Sequence, residues 1–311
     1  MALGLLLMYS LSSCWNSQRH TDGRAMLEEI RALGFDHAEL SHGIRISLLP
    51  GILEAVDAGL IKISSVHNFC PLPIGIDRAA PNIFKFSSEN PRERDNAFKH
   101  TVKSIETAAR LKAPIVVLHM GSIDMKDYTD RLIDLIKDGR KETPKFEKLC
   151  EEASRKREEK KERYINGAYE MLRQLIPIAE KDGVLLGIEN REALEEIPLE
   201  NDLDLFFREF TSPVVRYWHD TGHAQIKANL GFIHHAMHLE SFAERLAGFH
   251  IHDVEYPGRD HQQPGTGCVD FKSLAPFVRR QHIKVFEFSP SLETSQALAG
   301  VAHIKSIWGE E

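Results

Sequence analysis

Short apolar runs alternating with amphipathic stretches along nearly the whole chain are the feature that most restricts its fold. The runs are LGLLLMYS (3–10), HAELS (37–41), IKISSVH (61–67), PIVVLHM (114–120), VLLGIEN (184–190), VVRYWHD (214–220), LAGFHIH (246–252) and IKVFEFS (283–289). Their shortness, β-branched and aromatic content and near-continuous hydrophobicity are those of strands covered on both faces in a parallel sheet. Between them, 22–33 carries Met26, Leu27, Ile30 and Leu33 on one helical face, with Gly34 placed to end it. The stretch 91–112 aligns Phe98, Val102, Ile105 and Ala109, and Asn90, Pro91 and Glu93 read as its N-cap, N1 proline and capping-box acid. A helix predicted behind Asp270 must bend or shorten at Pro276.

Eight strands separated by helices predict an α/β fold, a (β/α)8 barrel with right-handed crossovers. An open doubly wound sheet competes, but no GxGxxG follows the first run and no P-loop occurs. The 311 residues read as a single barrel domain, 1–311, with a charged helical insertion at about 125–165. Its central part, 137–163, mixes acids and bases as a solvated helix laced with i,i+4 pairs does; the alternative is a lid or a partner surface. The run His234, His235 and His238 falls in a predicted helix and reads as surface or packing.

With 39 Lys and Arg against 46 Asp and Glu, the net charge is −7. A protein held by phosphate contacts normally carries a basic excess, so no nucleic-acid partner is expected. Cys14, Cys70, Cys150 and Cys268 lie far apart with no CxxC pair, which fits neither a disulfide framework nor a zinc knuckle and agrees with a reducing, cytoplasmic setting. The opening MALGLLLMYS lacks a basic start and a small-residue cleavage site, and is short of the ~20 residues that span a bilayer. It reads as a buried first strand rather than a signal peptide, and no membrane partner is expected.

The positions of the ionisable residues carry the functional argument. His67, His119, Glu189, Asp220, His250 and Glu287 stand at the C-terminal ends of the expected strands, the rim on which a parallel barrel builds its active site. Ile188, Ile251, Phe286 and Phe288 flank them, so alternation turns the apolar neighbours to the helices and the ionisable groups inward. Singly, each is as well explained by a salt bridge or a backbone-bonded histidine. Together in one cavity they would be costly unless paired, protonated or neutralised by a cation. Two Glu, one Asp and one His form an oxygen-rich set suited to one divalent ion, Mn²⁺, Mg²⁺, Co²⁺ or Zn²⁺. Gly265-Thr266-Gly267 after Pro264 reads as turn chemistry.

In order along the chain, LLGIEN, WHDTGH, FHIHD, PGTGCVDF and KVFEFSP resemble the xylose isomerase-like TIM barrel superfamily, which holds sugar isomerases, ketose 3-epimerases, inosose-processing enzymes and endonuclease IV. The resemblance runs over nearly the full chain. By likeness to the ketose 3-epimerases it implies metal ligands at Glu189, Asp220, His250 and Glu287, and substrate contacts at Glu195, His223 and Arg259. In such a one-metal site His67 and His119 fall to substrate binding. Phe69, Trp15 and Trp218 wall the pocket or fill core, Trp218 reading as core.

The implied reaction is isomerisation or epimerisation of a small sugar, inosose or polyol-ketone through an enediolate. The metal would bind a carbonyl and the adjacent hydroxyl, and Glu189 and Glu287 would be the acid/base pair on opposite sides of the carbon. A dehydratase would share the first step. No phosphate clamp is evident, which favours an unphosphorylated ligand, and assembly into a homo-oligomer is left open. Two alternatives stand beside this. One is an endonuclease IV-like abasic-site phosphodiesterase, whose further zinc histidines would fall on His67, His119, His223 and His261. Arg259 stands where that family has an aspartate, and a cation there removes a ligand and repels a third metal. The other is a sugar-binding barrel without turnover.

Overall fold

The computed structural model describes residues 8–309. Eight strands, β1 (Met8–Ser12), β2 (His37–Leu40), β3 (Lys62–His67), β4 (Ile115–Leu118), β5 (Leu185–Glu189), β6 (Val215–Asp220), β7 (Leu246–Ile251) and β8 (Ile283–Phe286), pair in chain order and close β8 onto β1. All neighbours in this barrel are parallel. The expected runs and the observed strands coincide except at their ends. β1 begins at Met8 and runs beyond the expected run to Ser12, while 3–7 lie outside the described residues.

Alternation along the strands sorts side chains into two cores. Ile115, Val117, Trp218, Ile283 and Val285 fill the barrel interior, whereas Val116, Leu118, Leu186, Ile188, Tyr217, Phe249, Ile251 and Phe286 belong to the layer packed under the helices. Trp218 is core, as its position suggested: it is fully buried, and its ring meets the His250 ring edge-on at 5.1 Å. It forms a solid floor beneath the strand ends. Trp15 and Phe69 are buried as well.

The helices follow from their caps. In α1 (Gly23–Ala32) Asp22 accepts from Ala25 N, and Gly34 at φ +92° lets the chain leave the helix. α2 spans Leu49–Asp57. α3 (Pro91–Leu111) starts on Asn90, whose side chain accepts from Arg92 N. Glu93 does not close a capping box; its carboxylate takes Lys85 N and Ser88 Oγ from the preceding loop instead. Behind Asp270 the helix lasts only Phe271–Leu274 before a tight turn through Pro276, as the proline requires.

The charged segment proves to be part of the barrel. After α4 (Thr129–Lys137), α5 runs from Pro144 to Asp182, so 137–163 is mostly the first half of the helix that joins β4 to β5. Arg155–Glu159, Lys156–Glu159 and Lys161–Glu158 pair along its exposed side. Its inner side is anchored by Arg157, which donates to Leu194 O at 2.9 Å and pairs with Asp202. The segment is helical, with ion pairs along its exposed side and Arg157 tying its inner side to the loop after β5 and to Asp202. The next helices are α6 (Glu200–Glu209), α7 (Thr221–Asn229) and α8 (His235–Phe242). No helix among the described residues is long and apolar enough to cross a membrane.

His235 and His238 of α8 are packing residues, buried against the outer face of β6. The Tyr217 hydroxyl meets His219 Nδ1 at 2.7 Å and His238 Nε2 at 2.8 Å, and His219 Nε2 meets His235 Nε2 at 3.0 Å. Burial pushes His235 down to about 3 and His238 well below its ordinary value. Both stay neutral in the folded protein, while the unfolded chain takes up their protons near 6.5. Stability conferred by these groups is therefore complete above pH 6.5 and falls as the pH drops from there toward 3. His235 alone contributes a slope of about 1.4 kcal/mol per pH unit in that window. Urea unfolding at pH 7 and pH 5 should show this loss, and His235→Gln should lessen it by about 1.4 kcal/mol per pH unit.

Gly248 has a packing reason. A Cβ there would lie 2.5 Å from Trp218 Cζ3 and 2.6 Å from Ile283 O, and the backbone carbonyl cannot yield. Gly248→Ala should cost about 1–3 kcal/mol in urea unfolding by overpacking.

Candidate active site

Four of the strand-end residues converge. One ligand atom each from Glu189, Asp220, His250 and Glu287 lies within 4.8 Å of all the others, and all four residues are buried. They come from the ends of β5, β6 and β7 and the residue following β8, which parity turns into the barrel mouth over Trp218. A six-coordinate ion with ~2.1 Å bonds would hold neighbouring ligand atoms ~3 Å and opposite ones ~4.2 Å apart. The donor chemistry and spacing of the quartet fit such an ion.

Each member is held by its own partners. Glu189 Oε1 lies 2.6 Å from His250 Nδ1, and Oε2 lies 2.7 Å from His119 Nε2, 3.1 Å from Arg191 Nη1 and 3.6 Å from His67 Nε2. Burial alone would push its acid up, but the His250 charge and the contacts from His119, His250 and His67 hold it well below the carboxylate range. Asp220 ends β6 and caps α7, accepting from His223 N at 2.7 Å, while its other oxygen meets His252 Nε2 at 2.9 Å. Burial pushes His252 down, yet the Asp220 carboxylate carries it up to about 9. Gly222 makes that pair possible, since a Cβ there would lie 2.1 Å from the His252 ring. Glu287 is the freest member: its carboxylate lies 3.3 Å from His250 Nδ1 and lines the open cavity.

That cavity, about 360 Å³, is walled by Ser17, Gln18, Ser41, His42, His261 and Gln262 among others. Arg259 stands at its mouth, exposed and paired with Glu255 at 3.1 Å. Its neighbour Asp260 turns inward, 3.8 Å from His223 Nε2 and 3.6 Å from His261 Nε2. The backbone carbonyls of Asn190 and Glu287 receive the Nδ1 sides of His223 and His261. Glu192 joins His223 and Asp260, and burial, then Asp260 and Glu196, push it up to about 8.

The expected substrate residues thus divide. His67, His119 and His223 border the quartet, and Arg259 reaches the rim. Glu195 does not enter the cavity: its carboxylate accepts from Tyr128 N, Thr129 N and Thr129 Oγ1 at 2.6, 3.3 and 2.7 Å, securing the start of α4. The likeness to the ketose 3-epimerases implied a substrate contact here, but an irregular loop fixes no side-chain direction, and these bonds occupy the Glu195 carboxylate. The sequence reading also passed over Glu39, Arg191 and Asp260. Arg191 is the most consequential: its guanidinium, buried, bridges Glu189, His119 Nε2 (2.7 Å) and Glu196 (2.9 Å). Gly265 and Gly267 are turn residues, as expected, their N–H groups donating to Asp253 at 2.8 and 3.0 Å.

Known structures share this architecture. A D-tagatose 3-epimerase-like protein superposes with a TM-score of 0.69 at 17% identity, covering 96% of each chain. The 3-keto-D-glucoside 4-epimerase of E. coli gives 0.68 at 14%, over 96% of this chain and 99% of its own. The D-psicose 3-epimerase of Clostridium cellulolyticum H10, solved with D-tagatose, gives 0.67 at 13%, over 97% and 99%. No curated protein sequence matches the chain significantly. Residues 27–306 match the family model for the xylose isomerase-like TIM barrel, and with the barrel closed and its strand ends converging on one cavity, the chain belongs to that family.

Proposed function

We propose that the protein is a divalent-metal-dependent isomerase or epimerase of an unphosphorylated sugar or polyol-ketone. The observation that carries this is the Glu189–Asp220–His250–Glu287 quartet, whose Glu287 lines a cavity of about 360 Å³. Bound there, the ion would supply Lewis-acid polarisation of a carbonyl and its neighbouring hydroxyl, and the four residues would hold it. Glu287 removes the proton from the hydroxyl-bearing carbon next to the carbonyl, being the quartet carboxylate that lines the cavity. Glu189 reaches the same His250 nitrogen and is the counterpart on the other face. Its neighbours hold it ionised, so it first takes up a proton from a substrate hydroxyl or water and then returns it to the carbon, while Arg191 and His119 hold its carboxylate in one orientation. His223, His261 and Asp260 face hydroxyl groups of the substrate. The cavity wall is neutral or acidic apart from Arg259, whose charge Glu255 already answers, so a phosphate would meet repulsion there.

A second reading, phosphodiester hydrolysis with several zinc ions, is favoured by one observation: Asp260 faces both His223 and His261 and could replace the missing carboxylate ligand. Arg191 opposes it. The His67–His119–Glu189 group is a candidate second cation site, and the guanidinium already supplies positive charge to it.

Two measurements separate the readings. Metal analysis of the purified protein should give one ion per chain, and Arg191→Met should raise it toward two; three ions in the wild type would favour the hydrolase. Incubation with a panel of ketoses and inososes in D₂O should show C–H exchange by NMR. Glu287→Gln should lower its rate at least 100-fold, and chelation should abolish it. Exchange with no candidate, together with nicking of abasic duplex, would overturn the proposal.

A further inference from the structure

Glu39 is a fully buried carboxylate at the barrel mouth that the quartet leaves out. It sits next to last in β2, fully buried, and three strands hold it: Ser12 Oγ donates to Oε1 at 2.9 Å and Ser65 Oγ to Oε2 at 2.7 Å. Its remaining contact crosses the barrel to His250 Nε2, 3.2 Å from Oε1 and 3.0 Å from Oε2. An ionised carboxylate only accepts hydrogen bonds, so the nitrogen facing it must carry a proton. The other ring nitrogen, Nδ1, points at Glu189, Asp220 and Glu287, at 2.6, 3.8 and 3.3 Å, so without a cation it too donates to a carboxylate, and a cation held by the quartet would take that proton's place.

We infer that Glu39 is a positioning residue: clamped by Ser12 and Ser65, it fixes the His250 ring with Nε2 protonated and Nδ1 directed into the quartet as a ligand. The inference rests on the cation reading of the quartet. A ligating imidazole commonly has its other nitrogen held by a carboxylate, which sets its tautomer and strengthens it as a donor. Here that carboxylate comes from a strand far from β7 in sequence, so closure of the barrel is what completes the ligand set. Gln is the informative replacement. Its amide can donate to Nε2, which moves the ring proton to Nδ1 and blocks the ligand position while leaving the volume unchanged.

The test is calorimetric titration of the full, metal-stripped chain with Mn²⁺, beside thermal unfolding of the metal-free forms. Glu39→Gln should weaken Mn²⁺ binding 10- to 100-fold. Glu39→Asp keeps the charge but shortens the reach, and should weaken it too; a carboxylate serving only as counter-charge would leave Glu39→Asp at the wild-type affinity. If Glu39→Gln fails to fold, Ser65→Ala, which frees one side of the clamp, should shift the affinity in the same direction. Long-range ¹⁵N–¹H spectra of the imidazoles in the metal-free chains should show His250 carrying a proton at Nε2 in the wild type and none at Nε2 in Glu39→Gln. Equal affinities for Glu39→Gln and wild type would overturn the inference. Absence of Mn²⁺ binding by the wild type would overturn the cation reading, and the ring spectra would then decide alone whether Glu39 sets the tautomer, an unchanged ring overturning it.

Discussion

Everything at the barrel mouth is organised by the need to compensate buried carboxylates. Glu39, Glu189, Asp220 and Glu287 are all withdrawn from water, and isolated charges of this kind would cost several kcal/mol apiece. Each is answered from a different part of the chain. Asp220 has the α7 backbone and His252; Glu39 has two serines and His250; Glu189 has His119, His250 and Arg191. Glu287 is the least compensated, sharing His250 with three other acids. The place where negative charge is least balanced is thus also the place that faces the cavity, where a cation can enter.

The scaffold makes that imbalance sustainable. Trp218 and the aliphatic side chains of the interior core fill the barrel to just below the quartet, so the site rests on a packed floor rather than a water channel. Gly248 is the concession that admits the indole, and Gly222 is the one that lets the His252 ring reach Asp220. Both substitutions of bulk for hydrogen would be felt at the site through a ring that Asp220 or His250 touches. Stability and site geometry are carried by the same contacts.

Much of this was legible in the sequence because strand periodicity is rigid. Once β5 to β8 were placed, alternation alone turned Glu189, Asp220, His250 and Glu287 inward and their apolar neighbours outward. What was not legible lay where that rigidity ends. Glu39 sits in HAEL, where Ala and Leu beside a Glu look like any half-buried strand, and only the cross-barrel contact with His250 gives it meaning. Glu195 and Arg191 belong to an irregular loop, in which spacing from Glu189 does not fix direction. Arg259 and Asp260 lie in a short ribbon, Arg259–Gln262 against Asp253–Glu255, whose register shifts and which carries His261 at φ +54°. A single residue's shift there exchanged the inward side chain for the outward one, which put the carboxylate beside His223 and the guanidinium in solvent.

That exchange changes what the residues argue about the number of ions. Read from the sequence, a positive Arg259 beside His223 and His261 was the reason to doubt a multi-metal site. In the fold, Arg259 has left that place and an acid stands in it, so the objection no longer lies there. It moves instead to Arg191, whose buried guanidinium lies against Glu189 and His119 and is held by Glu196 besides. A fixed organic cation at 3.1 Å from Glu189 supplies part of the charge that a second metal would otherwise bring, without its ligand demands. The argument for one ion over several therefore rests on a different residue from the one the sequence suggested.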